Sequence, residues 1–523
     1  MSSGNGVITR REAIKRISGA TLGAGLSPAA RAAQSEARPS SGPSRQSNSS
    51  KQPNVLWITG EGVPQHALSC YGSRLIHTPN IDRIANEGMR FENSFTTNAL
   101  CSPARATLLT GKYNHLNGMI ANPGESAEIV PHFEASQETL PKILKRHGYQ
   151  TGTVGKWHLP ANPGEVGFDY FVYKEGAGGP YYDPNGYLQN PSLGSTVIEK
   201  RSYPGYETDN VTDLVIQGIQ QFDKPFFMMV QYFNAHRPFD PPHQYEHLYD
   251  AIRIPEPATF WDDYSMRASP AKEARMRIAD MMDFHPPQDL TDRQRQQWNY
   301  HQFMAHFLGT LRAQDDNIGR LFDFLDKAGL AENTIIIYTT DHGFFLGDHG
   351  WFDKRFMYEQ ALKVPWMIRH PGRIKAGSVT TEWTANIDNA PTVLDLLGIP
   401  IPEEMQGKSL VPVFQGQTPP DRPRSMYYHY YGFGAPHWVL PHYGIRTDRY
   451  KLISYYTINE WELFDLEKDP DEMENLFVWG GYKVHPAYEA VAHDLAAELK
   501  SLRAEYKDTT GPPVQLLPVS SYN

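Results

Sequence analysis

A chain of 523 residues is too long for one simple core, so we expect one large domain joined to a smaller one. The 49 basic and 59 acidic residues give a formal net charge of −10, and so acidic a chain is not expected to bind nucleic acid. An anionic ligand would therefore need a local pocket of basic residues. The two cysteines, Cys70 and Cys101, exclude the dense disulfide framework of small secreted domains.

Residues 1–33 have the order of a bacterial export signal. A twin-arginine motif at 9–15 is followed by a mild apolar segment at 17–26 and a small-residue cleavage site at 30–32. The alternative is a disordered basic N-terminus, and we favour export by the twin-arginine machinery to the periplasm or the medium. Residues 34–52 are rich in Ser, Pro and Gln and predict a flexible linker. No apolar run approaches the ~18 residues of a membrane span, so we expect no stable membrane insertion.

Short apolar strands alternate with amphipathic helices over the next three hundred residues. The periodicity predicts strands at 54–59, 152–154, 226–232 and 334–340, and helices at 79–87, 104–109, 136–147, 211–222 and 303–328. This alternation predicts an α/β protein with a large, mostly parallel sheet flanked by helices. Ligands of such sheets bind beyond the carboxyl ends of the strands.

The pattern changes after about residue 415. Short aromatic strands are predicted at 425–431, 442–445, 450–456 and 460–464, with a closing helix near 487–504. They predict a small antiparallel sheet. We therefore expect a catalytic domain over 53–415 and a smaller α+β subdomain over 416–523.

Cys101 stands at the predicted start of a helix. Pro103 suits a first helical turn, and Gly111 suits the end of the helix. Free backbone N–H groups and the positive end of the helix dipole would lie beside the thiol. Such a place suits a group that attacks or carries an anion, although an inert, partly buried cysteine is the alternative.

The sequence Cys-Ser-Pro-Ala-Arg at 101–105, followed by Leu-Leu-Thr-Gly at 108–111, resembles the signature of the type I sulfatases. Similar segments follow in the family's order to about residue 475. The resemblance implies an alkaline-phosphatase-like fold and conversion of Cys101 to formylglycine by a separate maturation enzyme. The hydrate of that aldehyde is the family's nucleophile, and Arg105 matches the arginine that orients it.

Two strand ends carry the expected metal ligands. Glu61 follows the first strand, and Asp341 and His342 follow the strand at 334–340. The resemblance implies that these three residues and the modified Cys101 bind a divalent cation, with calcium as the family's ion. A histidine ligand also suits a softer ion such as manganese. Gly62 departs from the family, because it stands where a second acidic ligand is usual.

Four basic residues are expected to act on the sulfate ester. Lys156 and His158 follow a strand and, two apart, can face the same bound anion. By resemblance they contact the sulfate and the nucleophile. His236 matches the residue that protonates the leaving oxygen, and Lys354 matches a residue that neutralises sulfate charge.

The segments at 351–359, 442–447 and 461–470 resemble polysaccharide sulfatases similar to N-acetylglucosamine-6-sulfatases. We therefore expect a sulfated glycan as substrate. His437, His442 and Arg446 are candidates for sugar contact, and packing within the small sheet is their alternative. Two other functions stay open: a phosphodiester or phosphonate monoester hydrolase of the same superfamily, and a catalytically impaired glycan-binding protein.

Overall fold

A ten-stranded, mostly parallel sheet forms the centre of the fold. The computed structural model describes residues 52–125, 129–174, 176, 178–189, 199–418, 424–432, 434, 436–478 and 481–516, so the predicted export signal lies outside the described residues. In chain order the strands of this sheet and of a small hairpin are β1 (Asn54–Gly60), β2 (Met89–Phe95), β3 (Gln150–Lys156), β4 (Tyr170–Lys174), β5 (Asn185–Gln189), β6 (Glu199–Ser202), β7 (Phe226–Gln231), β8 (Thr334–Thr340), β9 (Phe345–Leu346), β10 (Phe352–Asp353), β11 (Trp366–Arg369) and β12 (Ser378–Ala385).

The strand order of the large sheet is β12-β2-β11-β8-β1-β7-β3-β4-β5-β6, and β9 pairs with β10. The central strands β8, β1, β7, β3 and β4 run parallel, whereas β11, β5 and β6 pair antiparallel with their neighbours. The carboxyl ends of four parallel strands, β1, β3, β7 and β8, therefore meet at one edge of the sheet.

Helices cover both faces of the sheet. They are α1 (Pro79–Asn86), α2 (Cys101–Thr110), α3 (Asn114–Asn117), α4 (Leu140–Arg146), α5 (Glu207–Gln220), α6 (Ser269–Glu273), α7 (Asp292–Lys327), α8 (Glu359–Leu362), α9 (Asn389–Leu396), α10 (Val411–Phe414) and α11 (Glu489–Glu505). Leu56 and Ile58 of β1 pack into a core with α1, α5 and α7, and Val55 and Trp57 pack into a second core with α2, α4 and α9. Alternate side chains of β1 thus pack on opposite faces of the sheet, which explains why residues 55–58 are all apolar.

The C-terminal part contains the predicted antiparallel sheet. Its strands are β13 (Ser425–Tyr430), β14 (His442–Thr447), β15 (Tyr450–Tyr455) and β16 (Glu460–Asp465), paired in that order. A short hairpin of β17 (Phe477–Val478) and β18 (Lys483–Val484) precedes α11. The α/β class and the antiparallel sheet are confirmed, and the domain boundary at 415 stays a prediction.

Four helix starts differ from the prediction by three residues or more: those of α2, α4, α5 and α7. The helix expected from residue 303 begins at Asp292, where Thr291 and Gln294 form a capping box. Its first two turns are largely exposed and lack the apolar spacing used for the prediction. The helix expected from residue 136 begins at Leu140, with Pro141 in its first turn.

Two glycines near the third strand give a stability prediction. Gly155 has φ +113°, and a Cβ there would lie 2.0 Å from the Gln231 carbonyl oxygen, so the backbone would have to move. Gly148 has φ +88°, but a Cβ added there would meet no atom within 4 Å, which makes it the matched control. We expect Gly155→Ala to cost more than about 3 kcal/mol, and Gly148→Ala about 1–2 kcal/mol for the left-handed backbone alone. Urea unfolding of both variants checks this, and equal losses would contradict it.

Candidate active site

The strand ends and one helix start bring the predicted catalytic and metal-binding residues to one place. Glu61 follows β1, Asp341 and His342 follow β8, and Cys101 is the first residue of α2. Lys156 is the last residue of β3. The ligand atoms of Glu61, Cys101, Asp341 and His342 all lie within 4.8 Å of one another, and all four residues are buried. We call these four residues the acidic cluster.

The cluster has the donors and the charge that a cation requires. Cys101 Sγ lies 3.0 Å from Glu61 Oε1 and 3.4 Å from His342 Nε2. His342 Nδ1 lies 2.8 Å from the Gly343 carbonyl oxygen and donates to it, which leaves Nε2 facing the acids. Burial lowers the pKa of His342, but the charge of Asp341 together with the charge and hydrogen bond of Cys101 outweighs burial and raises it to about 10. The cluster therefore attracts positive charge to the position of Nε2.

Arg105 links both carboxylates of the cluster. Its Nη2 donates to Glu61 Oε2 at 2.6 Å, and its Nε donates to Asp341 Oδ2 at 3.2 Å. Its Nη1 donates to Gln231 Oε1 at 2.6 Å and to the Lys156 carbonyl oxygen at 2.7 Å. Arg105 would therefore orient residue 101 indirectly, by holding Glu61 and Asp341 in place. Gln231 was not predicted from the sequence, although a polar residue closing the apolar strand β7 was the available signal.

Two lysines give the nucleophile position a positive environment. The Lys156 ammonium lies 2.7 Å from Glu61 Oε1 without being aligned for a hydrogen bond. Lys354 is buried, and its nearest carboxylate, Asp353, is 3.9 Å away. Burial and Glu61 raise the pKa of the Cys101 thiol, but Lys156, Lys354 and His342 lower it more, so it lies well below its usual value. An anion at this point would be stabilised by the same charges.

Two histidines border the same position. His236 Nε2 lies 4.0 Å from Glu61 Oε1, with its side chain 15% exposed. Burial, followed by the charge of Lys156, lowers the pKa of His236 to about 4. His158 is buried, and its Nδ1 has no hydrogen-bond partner among the residues that the structure describes. Burial also lowers the pKa of His158, against the opposing effect of its hydrogen bond with Cys101.

The space beside Gly62 is filled by an aromatic ring. Gly62 has φ +61°, and a Cβ would lie 3.0 Å from Phe344 Cδ2 and 3.3 Å from His342 Cε1. Its N–H donates to Asp341 Oδ1 at 3.1 Å. At the position where the resemblance implies a second acid, the chain therefore offers a backbone donor to Asp341. The sequence alone did not indicate that Phe344 packs beside Gly62.

The three candidates for sugar contact have partners within the protein. His437 Nε2 lies 3.1 Å from Asp353 Oδ2, and its Nδ1 lies 3.1 Å from the Arg275 carbonyl oxygen. His442 is fully buried among the rings of the small sheet, and Arg446 makes two hydrogen bonds to Glu359. The contacts of His442 and Arg446 fit the packing alternative, whereas His437 borders the loop that holds Lys354. Sugar contact by these residues stays a prediction.

A parallel sheet with an acidic cluster, a helix-start nucleophile position and buried lysines at its carboxyl edge defines an ester hydrolase of the alkaline-phosphatase-like class. The chain belongs to the sulfatase family. The family profile described as Sulfatase matches residues 53–399, and the profile described as N-sulphoglucosamine sulphohydrolase, C-terminal, matches residues 347–505. The family resemblance drawn from the Cys101 motif is thus confirmed, and the protein is a sulfatase.

Known proteins support this assignment over most of the chain. N-acetylglucosamine-6-O-sulfatase of Bacteroides thetaiotaomicron is 39% identical over 515 residues, which cover 88% of each chain. The solved structure of BT4656 in complex with its substrate D-glucosamine-2-N,6-O-disulfate is 37% identical, with a TM-score of 0.79, and covers 89% of this chain and 100% of that one. Phosphonate monoester hydrolase of Agrobacterium radiobacter is 22% identical with a TM-score of 0.67 over 87% of this chain and 96% of that one, which shows the shared fold alone.

The described residues contain no helix of the length and apolar character that crossing a membrane requires.

Proposed function

We propose that this sulfatase hydrolyses the 6-O-sulfate ester of a sulfated glucosamine unit in a glycan, with formylglycine at residue 101 as nucleophile. One observation carries the proposal. Cys101 Sγ lies inside a buried cluster of Glu61, Asp341 and His342, with all four ligand atoms within 4.8 Å of one another. The substrate class rests on the similarity to N-acetylglucosamine-6-O-sulfatase.

The donor set of the cluster fits a divalent cation. Glu61 and Asp341 offer carboxylate oxygens, which suit calcium, and His342 offers a nitrogen, which also suits manganese. We propose that these three residues and the modified residue 101 hold the ion, with calcium as the family's ion and manganese as the alternative. When bound, the cation would supply charge stabilisation at the sulfate oxygens.

The chain's own basic residues complete the chemistry. Lys156 and Lys354 would neutralise the sulfate oxygens, because both ammonium groups are buried near Cys101. His236 would donate the proton from Nε2 to the sugar oxygen as the sulfur–oxygen bond breaks, and the negative charge of a bound sulfate would raise its pKa above the low value set by burial. His158 would hold the second oxygen of residue 101.

The cellular context is also part of the proposal. We infer that a formylglycine-generating enzyme modifies Cys101 before the twin-arginine machinery exports the folded chain to the periplasm or the medium. The basis is the Cys101 motif and the predicted signal at residues 1–33, which lies outside the described residues.

A phosphodiester or phosphonate monoester hydrolase is the second candidate. Gly62 in place of an acid is the observation that favours it, because it removes one acidic ligand from the donor set that the sulfatase resemblance implies. Turnover of a 6-O-sulfated glucosamine against an aryl phosphodiester distinguishes the two functions. A modified enzyme that binds the sulfated sugar but turns over neither substrate would support the impaired glycan-binding alternative.

The variant His236→Gln tests the proposed leaving-group chemistry. A sugar alkoxide is a poor leaving group and needs a proton, so we expect kcat/KM for the 6-O-sulfated sugar to fall by about 10²–10⁴-fold. An aryl sulfate releases a more stable phenoxide, so its kcat/KM should fall by less than about tenfold. Steady-state kinetics on both substrates measure the difference.

The matched control is His243→Gln, because the His243 side chain is 83% exposed and pairs with Glu246 nearby in the sequence. It should leave both substrates unaffected. Equal losses for sugar sulfate and aryl sulfate in His236→Gln would show that His236 does not protonate the leaving oxygen.

A further inference from the structure

We propose that Arg275 and Trp438 form a second subsite, which binds a carboxylate or sulfate on the sugar next to the unit that loses its sulfate. The inference rests on the proposed function and extends it to the neighbouring sugar of the glycan. Arg275 lies in the segment between α6 and α7, and Trp438 lies between the small-sheet strands β13 and β14.

A cavity of about 550 Å³ opens beside these two segments. Its lining includes two arginines, Arg237 and Arg275, and two acids, Asp280 and Asp283, together with Met282, Phe352 and His437. Arg237 directly follows His236, and His437 contacts Asp353, which directly precedes Lys354. The cavity therefore adjoins the residues proposed to act on the sulfate ester, and its volume falls within the roughly 300–1,000 Å³ of small-molecule sites.

The two arginines of the cavity differ in their charge partners. Arg237 is held by both oxygens of Asp283, with 2.5 Å between Nη2 and Oδ2. Arg275 is exposed, and within the part of the chain that the structure describes it makes no ion pair with a carboxylate. The guanidinium of Arg275 thus remains available for an anion, in a chain whose net charge is −10. A planar guanidinium matches a carboxylate or a sulfate with two parallel hydrogen bonds.

An aromatic surface lies beside this cation. The Arg275 guanidinium carbon is 4.7 Å from the centre of the Trp438 ring, and 39% of Trp438 remains exposed. Met282, which also lines the cavity, is 86% exposed. Exposed apolar patches bordered by polar residues are a feature of binding surfaces, and Trp438 joins this surface through its contact with Arg275. A sugar ring can lie against the apolar surface while its charged group reaches Arg275.

The backbone holds the two segments in a fixed relation. The Arg275 N–H donates to the His437 carbonyl oxygen at 2.8 Å, and His437 Nδ1 lies 3.1 Å from the Arg275 carbonyl oxygen. Trp438 has a positive φ of +56°, an uncommon backbone state for a bulky residue. Because the arginine and the tryptophan are already placed, binding would cost less conformational entropy than ordering a free loop.

Binding of defined disaccharides to the full-length Cys101→Ala protein tests the subsite without turnover. The first probe joins a sugar with a carboxylate to 6-O-sulfated glucosamine, the second has that carboxylate reduced to an alcohol, and the third carries a sulfate on the reduced sugar. Calorimetry should show about tenfold tighter binding of one charged probe than of the reduced probe, as expected for a charge-assisted hydrogen bond at a partly exposed site. The charged probe that shows the preference identifies the group.

Two further variants in the same background make the result specific. Arg275→Ala should abolish the preference. Arg293→Ala is the matched control, because Arg293 is an exposed arginine 3.8 Å from the centre of the Trp261 ring, and it should retain the preference. A preference that persists in Arg275→Ala, or is absent from the protein with Arg275, would overturn the subsite. Failure of the intact, modified enzyme to turn over any 6-O-sulfated glucosamine would instead overturn the proposed function.

Discussion

Replacing Cys101 with alanine should reduce hydrolysis of a sulfate ester by at least about 10⁴-fold, the scale on which enzymes lose activity when their nucleophile is removed. The physical reason is that alanine can neither attack sulfur nor be oxidised to the aldehyde. Fully buried Cys101 is surrounded by Lys156, Lys354 and His342, so its replacement leaves the positive environment in place and removes the reacting atom. Binding of the substrate should therefore survive when turnover does not.

The chain provides its own matched control for this variant. Cys70 is the other cysteine, and its Sγ lies 3.7 Å from Met367 Sδ in a packing contact on the α1 side of the sheet. Cys70→Ala should keep full turnover. Mass measurement of the peptide that contains residue 101 should show loss of the thiol when the protein is made with a maturation enzyme. Equal activity of protein with an unmodified Cys101 would contradict the formylglycine proposal and leave the thiol itself as the nucleophile to be tested.

The sequence predicted four of the ten strands of the large sheet, β1, β3, β7 and β8, because burial on both faces leaves a direct record; the other six were not predicted. β1 and β8 each consist of seven buried residues around an apolar run, at 55–58 and 335–338, and the structure places both at the centre of the sheet. The start of α7 was missed for the opposite reason, since its first turns are exposed and polar. A capping box at Thr291 was the available signal there.

The sequence indicated which residues form the site more reliably than it indicated the contacts between them. A strand end or a helix start places Glu61, Cys101 and Asp341 near one another whatever the details of packing. The hydrogen bond from Arg105 to Gln231 depends on how α2 sits against β7, which no local pattern records. Arg275 gave no periodic signal either, because an exposed residue in an irregular segment leaves none.

Replacing Arg105 with leucine should lower the free energy of unfolding by about 3–5 kcal/mol, the range observed when one partner of a buried ion pair is removed. The side chains of Arg105, Glu61 and Asp341 are each no more than 1% exposed, so water cannot take over the four hydrogen bonds that the guanidinium donates. Two carboxylates would then face each other in a dry interior. Denaturant unfolding in the presence of a chelator measures the loss without compensation by a bound cation.

Arg449→Leu is the control for the loss of stability in Arg105→Leu, because it also removes an arginine with two acidic partners. Arg449 pairs with Asp465 at 2.8 Å and with Glu467 at 3.1 Å, but its side chain is 42% exposed, so we expect little change in the free energy of unfolding. Arg105→Lys should recover part of the stability, because it restores the charge but not the planar set of donors. Similar losses in the two leucine variants would mean that the acids near Cys101 do not depend on Arg105. A large difference would identify Arg105 as the group that stabilises the two buried carboxylates and holds them close enough together to share one cation.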